Sequence, residues 1–247
     1  WLSSRLKLLY GIRYDLFDVP KSRVFAANPL STEFKDDKNN LAARVGFSWS
    51  LDAENRTVLR ASSGIMYEPP QLNMYEFVIL RTAAPEIYTF TGGPTVAGAP
   101  AFPATIGGAT VPKQGIAAVA LDFKTQWALL SNIQIERALS DDISASLGYI
   151  NSIGRNMPLV LDTNLTATTA TLSDGRPIYS STRPNTQFNA IDVAQSIGEG
   201  TYNALTVTLQ KRMRHGWQMQ ANYTLAKSTD NAPFPSYVLA TGDDRIS

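Results

Sequence analysis

Few of the residue types that catalyse reactions or bind metals occur together in this sequence. Histidine occurs once, at His215 between Arg214 and Gly216, and the chain contains no cysteine. Structural and catalytic zinc sites draw three or four ligands from Cys, His and carboxylates, so a lone histidine favours a solvated turn residue over a metal ligand. Asp141 and Asp142 could suggest calcium binding or acid catalysis, yet aspartate pairs are also favoured in tight turns. The turn is the preferred interpretation.

The sequence also lacks the motifs of common nucleophilic and phosphate-binding sites. Serines are abundant, but no Gly-x-Ser-x-Gly elbow precedes a helix. The glycine pairs Gly92-Gly93 and Gly107-Gly108 lack the Lys, Ser or Thr that a phosphate loop needs. We therefore predict no catalytic residue, no metal site and no cofactor, and a protein that is not an enzyme.

Charge and hydrophobicity exclude several further classes of protein. The formal net charge is +1, with Lys and Arg scattered singly, which leaves no basic stripe for phosphates, so nucleic acid is not a predicted partner. The apolar runs are too short for a membrane helix of ~20 residues. The absence of cysteine is compatible with an oxidising compartment such as the periplasm or cell surface. Because the chain opens on Trp1 instead of Met, we expect a secretory signal upstream and a longer protein.

Apolar and polar residues alternate with period two in seven stretches, the pattern of a strand with one apolar face. The clearest places Leu41, Val45 and Trp49 on one face against Arg44 and Ser48 on the other. The predicted strands lie near residues 2–17, 41–52, 56–68, 124–139, 143–153, 202–213 and 217–228. Several have the length of ~9–11 residues with which a tilted strand crosses a membrane.

The connections between these stretches alternate between short turns and long loops. The long ones span residues 18–40, 69–123 and 154–201. In an antiparallel sheet, alternate connections lie at opposite ends, and transmembrane barrels have short periplasmic turns and long extracellular loops. The Gly- and Pro-rich middle of 69–123 suits irregular structure, short hairpins or a disordered surface segment.

The sequence therefore predicts an all-β chain, an antiparallel transmembrane β-barrel segment with long extracellular loops. Residues 1–247 are expected to be part of one outer-membrane β-barrel domain, in contact with the lipid of the outer membrane of a Gram-negative type bacterium. Seven is an odd count, whereas bacterial single-chain barrels have even numbers, so we expect further strands.

Two sets of residues are candidates for function. Arg13, Arg44 and Arg60 fall on the polar face and are predicted to point into the lumen, since arginine on the lipid face is costly. Aromatic residues at the strand ends predict two interfacial girdles. Trp49 and Trp217 fall near the periplasmic ends, and Tyr14, Tyr67, Trp127 and Tyr149 near the outer ends.

Several segments, in their order and spacing, carry a family resemblance. They include Gly11-Ile12-Arg13-Tyr14-Asp15, Asn40-Leu41-Ala42-Ala43-Arg44, Gly148-Tyr149-Ile150-Asn151-Ser152, Tyr202-Asn203-Ala204-Leu205 and Tyr223-Thr224-Leu225-Ala226-Lys227-Ser228. Together they resemble the TonB-dependent outer-membrane transporter barrels of the Oar-like type. The resemblance covers nearly the whole chain.

The resemblance implies a closed barrel of about 22 strands with a plugged lumen. It further implies a transporter or receptor that binds and moves a solute and is energised by a TonB-type protein. The sequence contains neither a plug nor a TonB-contact segment, so we expect these parts to lie elsewhere or to be absent, and we expect this chain to form part of a barrel. Its expected partners are the remaining strands and plug of the same protein, the energy-coupling protein and an unknown solute.

Two other functions remain open at this point. An outer-membrane adhesin or structural scaffold would use the long loops to bind a surface partner without transport. A secreted soluble β domain that binds glycan would stay in solution without detergent, although strands of membrane-spanning length count against it.

Overall fold

The computed structural model describes residues 4–22, 34–81, 113–166, 170–175, 177–180 and 182–231. Its strands are β1 Leu6–Tyr14, β2 Leu41–Ser50, β3 Thr57–Tyr67, β4 Ile116–Val119, β5 Trp127–Ala138, β6 Ile143–Asp162, β7 Ala170–Thr171, β8 Pro177–Ile178, β9 Ile191–Arg214 and β10 Trp217–Asp230, and its helix is α1 Leu72–Leu80. Residues 82–112, the middle of the predicted loop 69–123, lie outside the described residues, as do residues 2 and 3 of the first predicted strand.

The long strands form one antiparallel sheet in the order β1-β2-β3-β5-β6-β9-β10, and β4 joins it by pairing with β9 in parallel. Neighbours in this order are neighbours in sequence among the long strands, as in a meander. The sheet is open, with β1 and β10 as its edges within the described residues. The prediction of an all-β, antiparallel partial barrel is confirmed.

The short connections all lie at one end of the sheet, here called the turn end, and the long ones at the other, the loop end. Asp52 to Arg56 joins β2 to β3, and the Asp52 carboxylate accepts a bond of 2.7 Å from the Arg56 backbone N–H. His215 (φ 55°) and Gly216 (φ 82°) join β9 to β10. Two consecutive positive φ values match the right-handed twist of a tight hairpin.

The prediction that residues 154–201 form a loop is wrong at both ends. β6 continues to Asp162 and β9 begins at Ile191, so their hairpin extends well beyond the neighbouring strands. The pairing shifts register between Gly154 and Leu159, and Asn156 has φ 58°. Such bulges interrupt the alternation of faces. The period-two pattern of the sequence therefore ends at this point, although the strand continues.

The prediction that residues 69–123 form only a loop is also wrong, since the segment contains α1 and β4. Helix α1 follows Pro69 and Pro70 and buries Met74, Tyr75 and Val78. Met74 and Tyr75 pack with Val160 and Ala194 of the extended hairpin. The apolar run of α1 is too short for its period to be told from that of a strand. Among the described residues, no helix has the length and apolar character needed to cross a membrane.

Candidate functional site

The strand register assigns the side chains to two faces. Residues directly opposite one another in an antiparallel pair point to the same side of the sheet. The polar face carries Gly11, Arg44, Ser62, Asn132, Thr206 and Asn222, whereas the apolar face carries Ile12, Val45, Ala61, Ile133, Val207 and Tyr223. Large apolar side chains such as Ile12 and Tyr223 are exposed in this chain, at 75% and 64%. An exposed face with this many large apolar side chains requires an apolar surrounding.

All three predicted arginines lie on the polar face. Arg44 is opposite both Gly11 and Gly64, and Arg60 is opposite Ser48 and Gln134. A Cβ on Gly64 would lie 2.8 Å from the Arg44 side chain, so the glycine makes room for the arginine to cross its neighbour. Arg13 lies nearer the loop end, opposite Ala42.

Two of these arginines form ion pairs on that face. Arg60 donates to Glu136 at 2.6 Å, and both side chains are nearly half exposed. Arg13 donates to Asp15, also at 2.6 Å, and this carboxylate is 7% exposed. The exposed Arg60–Glu136 pair contributes little to stability, typically ~0–1 kcal/mol.

The polar face is concave between β1 and β5. A cavity of 590 Å³ there is lined by Lys7, Leu9, Gly46, Arg60 and Gln134, among others. A second cavity of 510 Å³ on the same face includes Gly11, Arg44 and Asn132. Both linings include Gly46, Ser62, Asn132 and Leu9, and one arginine borders each cavity.

Five of the six predicted girdle residues lie at strand ends. Trp49 and Trp217 lie at the turn end, and Tyr14, Tyr67 and Trp127 lie at the loop end. The Tyr14 hydroxyl donates to the backbone of Lys38 at 3.0 Å. Tyr149 differs, because its strand β6 has 20 residues and Tyr149 lies in the first half, closer to the turn end. The sequence predicted a strand over residues 143–153, which placed Tyr149 near its outer end, whereas β6 continues to Asp162. Whether these rings mark two membrane interfaces stays a prediction.

The residues considered for chemistry lie in turns at the turn end. His215 is in the hairpin between β9 and β10. Asp142 accepts hydrogen bonds from Lys211 and Ser140, at 2.9 and 3.0 Å, which hold the pKa of its carboxyl below the usual range. No group of three or more His, Cys, Asp or Glu side chains suited to a metal ion occurs in the described part of the chain.

A set of polar residues on the apolar face was not predicted as a site. Ser63, Ser131, Asn151, Asn203 and Lys227 occupy directly opposite positions on five neighbouring strands. In the sequence each is an isolated exception to the alternation. Only the strand register shows that these exceptions form one row.

Three solved structures are similar to this chain. The outer membrane transporter YddB from Escherichia coli matches with a TM-score of 0.55 and 13% identity over 92% of this chain and 23% of its own. The FpvAI–pyocin S2 complex gives 0.48 and 14% over 93% and 22%. The FrpB iron transporter from Neisseria meningitidis gives 0.39 and 12% over 77% and 20%.

The match to YddB, at 13% identity, supports the fold alone. The chain spans less than a quarter of the length of each of these structures. No curated protein matches the chain. The family model described as "Outer membrane beta barrel domain" matches residues 1–242. The two-faced antiparallel sheet with its segregated turns and loops is the structure that such a domain requires, and this chain belongs to the outer membrane beta barrel domain family.

Proposed function

We propose that residues 1–247 are part of one barrel domain of an outer-membrane transporter or receptor that binds and moves a solute. The observation that carries this proposal is the polar face, where Arg44 and Arg60 each border a cavity lined by small, polar and apolar residues. A wall that served only as a scaffold would not need cations placed over small residues. The similarity in fold to YddB, an outer membrane transporter, supports the same proposal.

The proposal includes the partners implied by the Oar-like resemblance. The edge strands β1 and β10 would pair with the remaining strands of the barrel, because unpaired backbone groups are costly in a membrane. A plug in the lumen would contact the polar face, and a TonB-type protein would couple transport to energy. Arg13, Arg44 and Arg60 would then be available to the plug or to the passing solute.

The test compares solute depletion from the growth medium by cells that carry the full-length protein and by cells in which it is deleted. Mass spectrometry of the medium identifies any solute that only the first strain removes. The double substitution Arg44→Gln, Arg60→Gln should slow removal of an anionic solute about tenfold, the effect of losing a charge-assisted hydrogen bond.

The matched control is Arg214→Gln at the turn end, which removes one positive charge far from the cavities and should leave depletion unchanged. Deletion of the energy-coupling protein should abolish depletion in the parent strain. If no solute is depleted by either strain, while attachment of cells to a surface depends on the protein, an adhesin is the better account.

A further inference from the structure

The apolar face carries one row of polar residues that runs across the sheet. Its members are Ser63 on β3, Ser131 on β5, Asn151 on β6, Asn203 on β9 and Lys227 on β10, each directly opposite the next. Ser63, Ser131 and Asn151 have apolar neighbours on this face of their own strands, such as Leu129 and Ile133 beside Ser131. Asn203 and Lys227 have leucines on the turn-end side and threonines on the loop-end side. Polar groups facing lipid are costly unless they have partners.

The first four members supply those partners to one another. The hydroxyls of Ser63 and Ser131 are 2.8 Å apart and share a hydrogen bond. The Tyr149 hydroxyl donates to Asn203 Oδ1 at 2.7 Å, and Asn151 Nδ2 donates to the same oxygen at 2.8 Å. Two donors therefore occupy the carboxamide oxygen of Asn203 and fix the orientation of its side chain.

Asn203 and Lys227 are directly opposite one another in the strand register. The Asn203 Nδ2 group donates to none of the described residues, and Lys227, directly opposite on β10, forms no ion pair or hydrogen bond with them. An amide N–H and an ammonium can only donate. Two such donors at directly opposite positions, with no acceptor among the residues that the structure describes, are suited to binding an anion.

The positions of Asn203 and Lys227 along their strands indicate which kind of molecule supplies the anion. Ser63 lies in the middle of β3, whereas Asn203 and Lys227 lie far from the turn end of β9 and β10. The cost of a lysine on the lipid face falls steeply from the membrane midplane towards the interface. Leu205 and Leu225, the next pair on this face towards the turn end, are exposed and would contact acyl chains below the anion.

We propose that Lys227 Nζ and Asn203 Nδ2 bind the phosphate group of a lipid in the outer leaflet, on the outside of the barrel wall. The lipid phosphate offers several acceptor oxygens, and an ammonium forms charge-assisted bonds with them. Tyr149 and Asn151 act as positioning residues, because they hold the Asn203 amide with its N–H groups outward. The inference rests on the barrel fold and not on transport.

The test uses native mass spectrometry of the full-length protein in mild detergent, with added diphosphorylated lipid A as the probe. Lys227→Gln should weaken retention of this lipid about tenfold, as expected for loss of one charge-assisted hydrogen bond. Lys227→Arg should retain it. The matched control is Lys7→Gln, which removes the same charge from the polar face and should leave retention unchanged.

A second comparison needs no variant. Dephosphorylated lipid A should bind the unmodified protein as weakly as diphosphorylated lipid A binds Lys227→Gln. Equal retention of the two lipids would overturn the proposal, and so would equal losses in Lys227→Gln and Lys7→Gln. Unchanged binding in Lys227→Gln would also overturn it and would point to a carboxylate on a neighbouring strand as the partner of Lys227.

Discussion

At the scale of single residues, one buried lysine contacts residues of two neighbouring turns. The Lys211 side chain is 7% exposed, and its ammonium lies 2.9 Å from the Asp142 carboxylate. It also donates to the backbone carbonyl of Arg214 at 3.1 Å and lies 4.3 Å from the centre of the Trp217 ring. A buried cation is tolerated only with such partners. The β5–β6 turn and the β9–β10 turn are thereby held side by side.

Substituting Asp142→Asn should therefore lower the stability of the folded protein, because it leaves Lys211 without its charged partner. The midpoint of urea unfolding of the full-length protein in lipid vesicles measures the effect. Asp141→Asn is the matched control, since Asp141 is 80% exposed and its ion pairs measure 3.9 and 4.0 Å. A loss of stability in the control as large as in Asp142→Asn would contradict this role.

The same contact predicts a pH dependence. Because hydrogen bonds from Lys211 and Ser140 lower the pKa of Asp142 below the ordinary value of 3.8, the carboxylate stabilises the folded state at pH values above about 4. This stabilisation is lost as the pH falls through the lowered pKa. The difference in urea midpoint between the unmodified protein and Asp142→Asn should be full at pH 6 to 7 and vanish in strong acid. A difference that grows on acidification would contradict the assignment.

At the scale of elements, the alternation of apolar and polar residues in the sequence was sufficient to assign side chains to a face wherever the strand pairing has no bulge. Between β1 and β5 every strand keeps its register, so Arg13, Arg44 and Arg60 could be assigned to one face from sequence. The method failed in the extended part of β6 and β9, because the bulges beside Asn156 interrupt the alternation. It also could not reveal the row that ends at Lys227, since opposite residues are defined by register and not by sequence spacing.

The two faces of β2 allow a direct test of the facing assignment. Val45→Asp places a carboxylate on the apolar wall and should impair assembly, at a cost below the ~2–4 kcal/mol of an arginine or lysine near the membrane midplane. Ser48→Asp should be tolerated, because it lies opposite both Lys7 and Arg60. The folded, heat-modifiable fraction of the full-length protein in outer-membrane preparations measures assembly. Equal losses for the two substitutions would refute the assignment.

At the scale of the whole molecule, the sheet separates two environments and two ends. Its apolar face suits lipid, its polar face suits water, and the described turns and loops lie at opposite ends. Beyond the loop end, α1 and β4 pack on the extended β6–β9 hairpin, where Arg81 donates to Asp192 at 2.8 Å. The long connections therefore include a folded layer with a core of its own, which composition alone did not predict.

We propose that this wall crosses the outer membrane with its turns inside and its loops outside. Single cysteines at Ser173, in the exposed segment between β7 and β8, and at Glu54, in the exposed β2–β3 turn, test this directly in a cysteine-free full-length protein. A membrane-impermeant maleimide added to intact cells should label Ser173→Cys, and should label Glu54→Cys only after the outer membrane is permeabilised. Labelling of both positions in intact cells, or of Glu54→Cys alone, would contradict the account.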